Sequence, residues 1–473
     1  MRDIVVIGGG VGGLVTASVA GQLGLKVTLV ERSERLGGDC LHYGCVPSKT
    51  LIKSARVASL FGRAGDFGLD AAPPGIDLAR INARVRDVIE TIQAYDDPQR
   101  FRAYGVEVLF GEAVFTAADE VRVKGQRVRG RRFVVATGSR PAVPPVAGLA
   151  DAGFLTSEQV FGLQRMPPRL AVLGGGPLGV ELAQALHRLG SRVSLLEVAP
   201  EILPREDPVF AGELRGLLAG EGLDVRVGYE VERVDRVGDR KCLQLRLRHG
   251  EDRRPLEVDE ILIAAGRLPN VETLGLEAAG VAYDRGGIAV DRRMRTSRRH
   301  IFACGDVCGP YPFTHVAEYQ AGIVISNAIF RFPRRADYRV VPWVTYSDPE
   351  LARVGLNADE ARARYPDVEV LTFAFRDVDR ALAEGEPEGR MELVVRRGRI
   401  LGATILGVHA GELIHEIVLA MKARVPISRL SGAIHAYPTL AQVARRCVNT
   451  HYAGTLFSAR TRRVVHWINR LIP

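Results

Sequence analysis

Two glycine-rich turns, Gly8-Gly9-Gly10-Val11-Gly12-Gly13 and Gly174-Gly175-Gly176-Pro177-Leu178-Gly179, constrain this chain more than any other feature. Each follows a short apolar run that reads as a buried strand, Asp3–Ile7 or Leu170–Leu173. Each opens a helical stretch, Leu14–Leu23 or Val180–Leu189, and a second strand then ends on an acid, Glu31 or Glu197. Both acids stand 18 residues after the last glycine of their turn. Two complete βαβ units about 165 residues apart predict two dinucleotide-binding domains. Gly8 and Gly174 allow the tight turn, and Gly10 and Gly176 let backbone N–H groups meet a pyrophosphate. Gly13 and Gly179 bring helix against strand, and the helix N-terminus favours the anion. Glu31 and Glu197 are placed to accept hydrogen bonds from a ribose diol. At Glu197 a carboxylate repels the 2′-phosphate of NADP, so NADH is expected, with NADPH the second choice because Arg192 and Arg205 are near in sequence.

With 473 residues the chain exceeds a single core. Pro141, Pro144 and Pro145 follow the strand Arg132–Ala136, and Pro167-Pro168 precedes the second unit, which marks a linker. Another change falls near Arg331–Val341. Beyond it, strands Val340–Tyr346, Arg390–Arg396 and Arg399–Leu406 predict an antiparallel sheet with helices, and Asp359–Arg364 reads as a solvated helical face. No apolar run approaches the ~20 residues of a membrane span. Ile4–Ile7 leads straight into a glycine turn rather than a signal peptide, so a cytoplasmic protein is expected. The formal charge is +9, from 64 Lys and Arg against 55 Asp and Glu. The basic residues are spread along the whole chain, so nucleic acid is not an expected partner.

Six cysteines without a regular framework argue against a secreted disulfide scaffold. Cys40 and Cys45 stand apart from the rest, in Gly37-Gly38-Asp39-Cys40-Leu41-His42-Tyr43-Gly44-Cys45-Val46-Pro47-Ser48-Lys49. A ring that short removes little unfolded-state entropy, so a purely stabilising bridge explains the pair poorly. Pro47 suits the first turn of a helix running through Leu60, which puts Cys45 at a helix N-terminus, where the dipole favours a thiolate. Lys49, four residues on, shares its helical face.

These motifs together resemble the class I pyridine nucleotide–disulfide oxidoreductases: dihydrolipoamide dehydrogenase, glutathione reductase and mercuric reductase. Gly37–Lys49 resembles their redox-disulfide segment, and Ala136-Thr137-Gly138 a second flavin motif. Ala264–Asn270, with Gly266, resembles the segment closing the NAD domain. Ile301–Val307, with Gly305 and Asp306, resembles the motif whose acid binds the ribityl chain. The resemblance runs to about residue 450. It implies FAD and NADH as cofactors, and an α/β fold of two Rossmann-like dinucleotide-binding domains plus a C-terminal α+β dimerisation domain. The implied division is 1–145 and 269–338 for FAD, 146–268 for NAD(P) and 339–473 for the interface of a homodimer. It further implies that Cys45 is the proximal cysteine, Cys40 the interchange cysteine, and Lys49 the lysine near the flavin, paired with Glu181. The implied acceptor is a small-molecule or protein disulfide.

The chain departs from the disulfide reductases in Ile434-His435-Ala436-Tyr437-Pro438-Thr439-Leu440-Ala441-Gln442. Tyr437 stands at the position of their acid–base histidine and Gln442 at that of the glutamate orienting it. Tyrosine, with a pKa of about 10 against about 6.5 for histidine, is a poor base near neutrality. His435 is either a replacement or a structural histidine. Tyr437 and the stretches Glu181–Gly190, Asp379–Gly385 and Leu401–Ile414 are similar to the mercuric reductase branch, so a soft metal ion is an alternative acceptor. A redox-sensing flavoprotein of low turnover is a further alternative. The chain lacks that branch's vicinal cysteine pair: Cys447 reads as a packed thiol, and Cys304 and Cys308 flank Asp306 without implying a metal site. Pro177 replaces a tyrosine that covers the flavin in many relatives. Ala459–Pro473 extends past the resemblance, with Val464, Trp467, Ile468 and Leu471 on one helical face and arginines mostly elsewhere. It is expected to pack on its own dimer, with peripheral membrane contact as the lesser alternative.

Overall fold

A computed structural model describes residues 1–471; Ile472 and Pro473, the end of the expected C-terminal helix, lie outside the described residues. The chain divides into two compact units. Met1–Phe61, Ala72–Val198 and Arg226–Asp337 form the first, and Gly62–Ala71, Ala199–Val225 and Tyr338–Pro473 the second.

In the first unit the strand Ile4–Ile7 is wholly buried at the centre of a five-stranded parallel sheet. Val27–Glu31 and then Val106–Phe110 flank it on one side, Phe133–Val135 and then Ile301–Ala303 on the other. Continuous apolar strands of this kind are what a sheet covered on both faces requires. The outermost strand arrives from almost 300 residues away, because Ile301, Ala303 and Val307 fill the same core as Val5, Ile7 and Phe133. A second parallel sheet is centred on Arg169–Leu173, between Arg192–Glu197 and Glu260–Ile263. An antiparallel sheet of Tyr229–Val237, Arg240–Leu247 and Arg253–Val258 shares a core with it through Val234, Leu243, Leu245 and Ile261. The chain passes between the two parallel sheets twice, and those passages pair with each other: Ser139–Pro141 runs antiparallel to Arg267–Pro269. Pro141 is therefore part of a short ribbon rather than an irregular linker, as a proline without an N–H can be on an edge.

The second unit is built on a five-stranded antiparallel sheet, with Arg399–Gly407 as its central strand between Glu350–Gly355 and Arg390–Arg396. Its helices Ala410–Lys422 and Gln442–Leu456 bury Ile414, Ile417, Val443 and Cys447 in the core of that unit. The first strand is shorter than expected, Pro342–Thr345. No described helix is long and apolar enough to cross a membrane.

Candidate active site

The two glycine turns are close copies in three dimensions. A Cβ on Gly13 would lie 1.8 Å from the Gly8 carbonyl oxygen, and one on Gly179 would lie 1.8 Å from that of Gly174. Gly8 and Gly174 have φ of +109° and +115°, a left-handed conformation that a side chain resists. A Cβ on Gly176 would meet nothing within 4 Å, and one on Gly10 only Gly38 Cα at 3.9 Å. Both stand at the N-caps of helices, Val11–Gln22 and Pro177–Arg188, with backbone N–H groups directed along the axis. Glu31 and Glu197 lie buried at their strand ends and accept the N–H of Gly9 at 2.6 Å and of Gly175 at 2.7 Å. Each carboxylate therefore holds its turn in place and keeps lone pairs for further donors. Two anion-ready helix ends, each with a buried acceptor beside it, fit dinucleotides. Gly13→Ala is expected to lower the thermal-unfolding midpoint of the purified protein, since the methyl must displace the Gly8 backbone at about 1–3 kcal/mol. A midpoint equal to that of the parent would contradict the packing described.

Asp306 follows the strand Ile301–Ala303 and accepts the Ser139 hydroxyl at 2.6 Å. Ser139 in turn accepts Arg267 Nε at 2.7 Å, and Arg267 Nη2 reaches Asp39 at 2.9 Å. One guanidinium thus connects the residue before Cys40 with the ribbon and with Asp306. Burial nevertheless raises the Asp39 carboxyl above its usual range, against the lowering by Arg267. Thr137 and Gly138 bond Asn270, just after the returning strand, and Gly305 N–H donates to the buried Gln320 at 2.6 Å. Gly266 takes φ of +113° where that returning strand begins.

Cys40 lies in the short helix Gly38–His42, and Cys45 opens the helix Cys45–Gly62. Both are free thiols. The Cys40 thiol hydrogen-bonds to Cys45, which lowers Cys45 to about 6 despite desolvation; the Thr314 hydroxyl, 3.4 Å from its sulfur, and the Lys49 ammonium add to the lowering. The same bond drives Cys40 upward, so it holds its proton at neutral pH. Cys242, Cys304, Cys308 and Cys447 are all raised, burial being the first cause in each. Only Cys45 of the six is set to be a thiolate near neutrality. Lys49 Nζ reaches Glu181 Oε2 at 2.7 Å, and the Glu181 side chain is 3% exposed.

Tyr437 and His435 belong to the second unit. Tyr437 is 68% exposed and hydrogen-bonds to Asp379, which raises its phenol above the ordinary value. His435 is enclosed, with Nε2 2.9 Å from Glu416 and Nδ1 3.3 Å from the Ala433 carbonyl. The Gln442 side chain donates to the Ala436 carbonyl, at 3.4 Å. Thr314, Asp39, Ser139 and Glu416 were not expected from the sequence: each meets its partner through the fold, and a lone Thr or Glu on a helix carries no signal. Among the described residues no group of three His, Cys, Asp or Glu could hold a metal ion.

Residues 2–321 match the pyridine nucleotide-disulphide oxidoreductase family, and residues 341–447 its dimerisation domain. The chain belongs to that family. It is 38% identical over 456 residues to a dihydrolipoyl dehydrogenase of Thermus scotoductus, covering 93% of this chain and 95% of the relative. It is 32% identical to a mercuric reductase of Staphylococcus aureus, covering 93% and 80% respectively. The HOCl-induced flavoprotein disulfide reductase RclA from Escherichia coli superposes with a TM-score of 0.85 at 30% identity, over 94% of this chain and 99% of that one. The protein is an FAD-dependent, NAD(P)H-linked oxidoreductase of the disulfide reductase type.

Proposed function

We propose that Cys40 and Cys45 form the redox pair of this enzyme and reduce a disulfide or thiol-linked acceptor. The observation that carries this is the opposite tuning of two adjacent thiols, one held as thiolate and one held protonated. Bound FAD would supply two-electron relay from NAD(P)H to the Cys40–Cys45 disulfide. Cys40 then attacks the acceptor disulfide as its proton passes along the hydrogen bond to the Cys45 sulfur, and the first thiolate expelled takes that proton; the Cys45 thiolate attacks the Cys40 sulfur of the mixed disulfide, expels the second thiolate and closes the Cys40–Cys45 bond. Lys49 and Glu181 hold a fixed charge pair beside Cys45. Gly8, Gly10, Gly13, Glu31, Thr137, Gly138, Gly305 and Asp306 would hold FAD, within 1–145 and 269–338. Gly174, Gly176, Gly179, Glu197 and Gly266 would hold the nicotinamide dinucleotide, in 146–268, with NADH preferred through Glu197. The interface of a cytoplasmic homodimer would lie within residues 339–473, as the match of residues 341–447 to a dimerisation domain supports.

A second reading, reduction of a soft metal ion held between the two sulfurs, is favoured by the second unit. Neither an imidazole–carboxylate dyad at positions 437 and 442 nor a free nitrogen on His435 is available there for thiol acid–base work. Here His435 acts through Glu416 to brace the loop carrying Tyr437. RclA has been solved as a Cu(II) complex, and mercuric reductases are among the relatives. The test is steady-state oxidation of NADH and of NADPH with lipoamide, glutathione disulfide, Hg(II) and Cu(II). A disulfide enzyme should gain about tenfold or more in disulfide turnover from Tyr437→His with Gln442→Glu. Parent turnover confined to the metal ions, with no gain in the variant, would leave the metal reading standing and remove the first.

A further inference from the structure

Lys and Arg are spread evenly along the chain, but Asp and Glu are not. The last acid is Glu416, and nine Lys and Arg follow it, so the formal charge of +9 resides in the final 57 residues and residues 1–416 are balanced. The even spread of basic residues therefore conceals a segment of one sign.

That segment includes the helix Ala459–Leu471, in which no residue is buried. At about 100° per residue, Val464, Val465, Trp467, Ile468 and Leu471 share one face, each between 42% and 65% exposed. Arg462, Arg463, His466, Asn469 and Arg470 occupy the opposite face. A helix of this length is marginal in water on its own, so a surface that covers the apolar face also stabilises the helix.

We propose that this helix docks on an anionic lipid surface, with its apolar face at the headgroup–acyl boundary and its arginines against the phosphates. Charge complementarity selects this occupant. A two-fold contact with a second copy would set this unbroken positive segment against itself. A nucleic acid would neutralise the arginines but leave five large apolar side chains in water. An anionic bilayer satisfies both faces together, and Trp467 has the amphipathic ring that suits the interface. The surface is independent of which acceptor the enzyme reduces.

The test uses the full-length, FAD-loaded protein with large unilamellar vesicles of phosphatidylcholine containing roughly 30% phosphatidylglycerol, or of phosphatidylcholine alone. Co-sedimentation is expected with the anionic vesicles, at least about tenfold stronger than with neutral ones, and reversed by about 0.5 M salt as screening shortens. Trp467 fluorescence should move to the blue in the same titration. Val464→Glu with Ile468→Glu, or Gln at Arg460, Arg462, Arg463 and Arg470, should abolish binding while leaving NADH oxidation and native mass unchanged. Equal binding to both vesicles, or none to the anionic ones at low salt, would overturn the proposal. So would a halved native mass in the Glu variant, which makes the face an interface between copies, or tighter binding to duplex DNA than to vesicles.

Discussion

Cys45→Ser is expected to lower acceptor turnover on the order of a thousandfold or more, because a serine hydroxyl neither ionises near pH 7 nor forms a disulfide with Cys40. The thiol can also be followed directly. Alkylation of Cys45 by iodoacetamide in the NADH-reduced protein should accelerate as pH rises through a midpoint of about 6, since the thiolate is the nucleophile and dominates above that value. Cys40→Ala should shift that midpoint upward toward the ordinary thiol range, because the Cys40 hydrogen bond is the first cause of the lowering. A midpoint left in place by Cys40→Ala would mean that the two sulfurs are not partners. Alkylation of the parent that rises only above pH 8 would remove the thiolate on which the proposed function rests.

Lys49→Met should be the most destabilising single change at the site. It leaves the Glu181 carboxylate, 3% exposed, without the ammonium 2.7 Å away, at a cost of about 3 kcal/mol. It should also raise the Cys45 midpoint, since Lys49 favours the thiolate and Glu181 opposes it, but by less than Cys40→Ala does. Glu181→Gln should act the other way on Cys45 and cost less stability, because the Lys49 side chain is 35% exposed and reaches water. The double variant Lys49→Met with Glu181→Gln should recover much of the loss, a coupling readable as a double-mutant cycle of thermal midpoints. Strictly additive midpoints would show that the pair contributes nothing as a pair.

Much of this site was legible from local residues. The glycine turns could be recognised because steric necessity is local: Gly13 must clear a carbonyl five residues earlier, and no partner from afar is needed to say so. The placement of Cys45 at a helix N-terminus followed from Pro47, which suits the first turn of a helix. Lys49–Glu181 was inferred through family resemblance rather than spacing, since 132 residues separate the two. The C-terminal face was visible as a wheel, but the sequence pattern did not say what covers it. Counting cations alone hid the absence of acids after Glu416, and only the structure shows the whole helix exposed.

What the sequence determined is the chemistry at short range: two glycine turns, an acid closing each, and two cysteines five residues apart on adjoining helices. Those depend on backbone sterics and helix periodicity, which act over a few residues. What only the tertiary structure decided is which groups hold the charge on Cys45 and what the altered loop can do. The Cys40–Cys45 hydrogen bond with Thr314 behind it, the Arg267 link from Asp39 to Ser139, and the enclosure of His435 against Glu416 join distant segments. Ionisation and hydrogen bonding depend on distance and burial, and for such pairs both are set when the sheets assemble rather than by position along the chain.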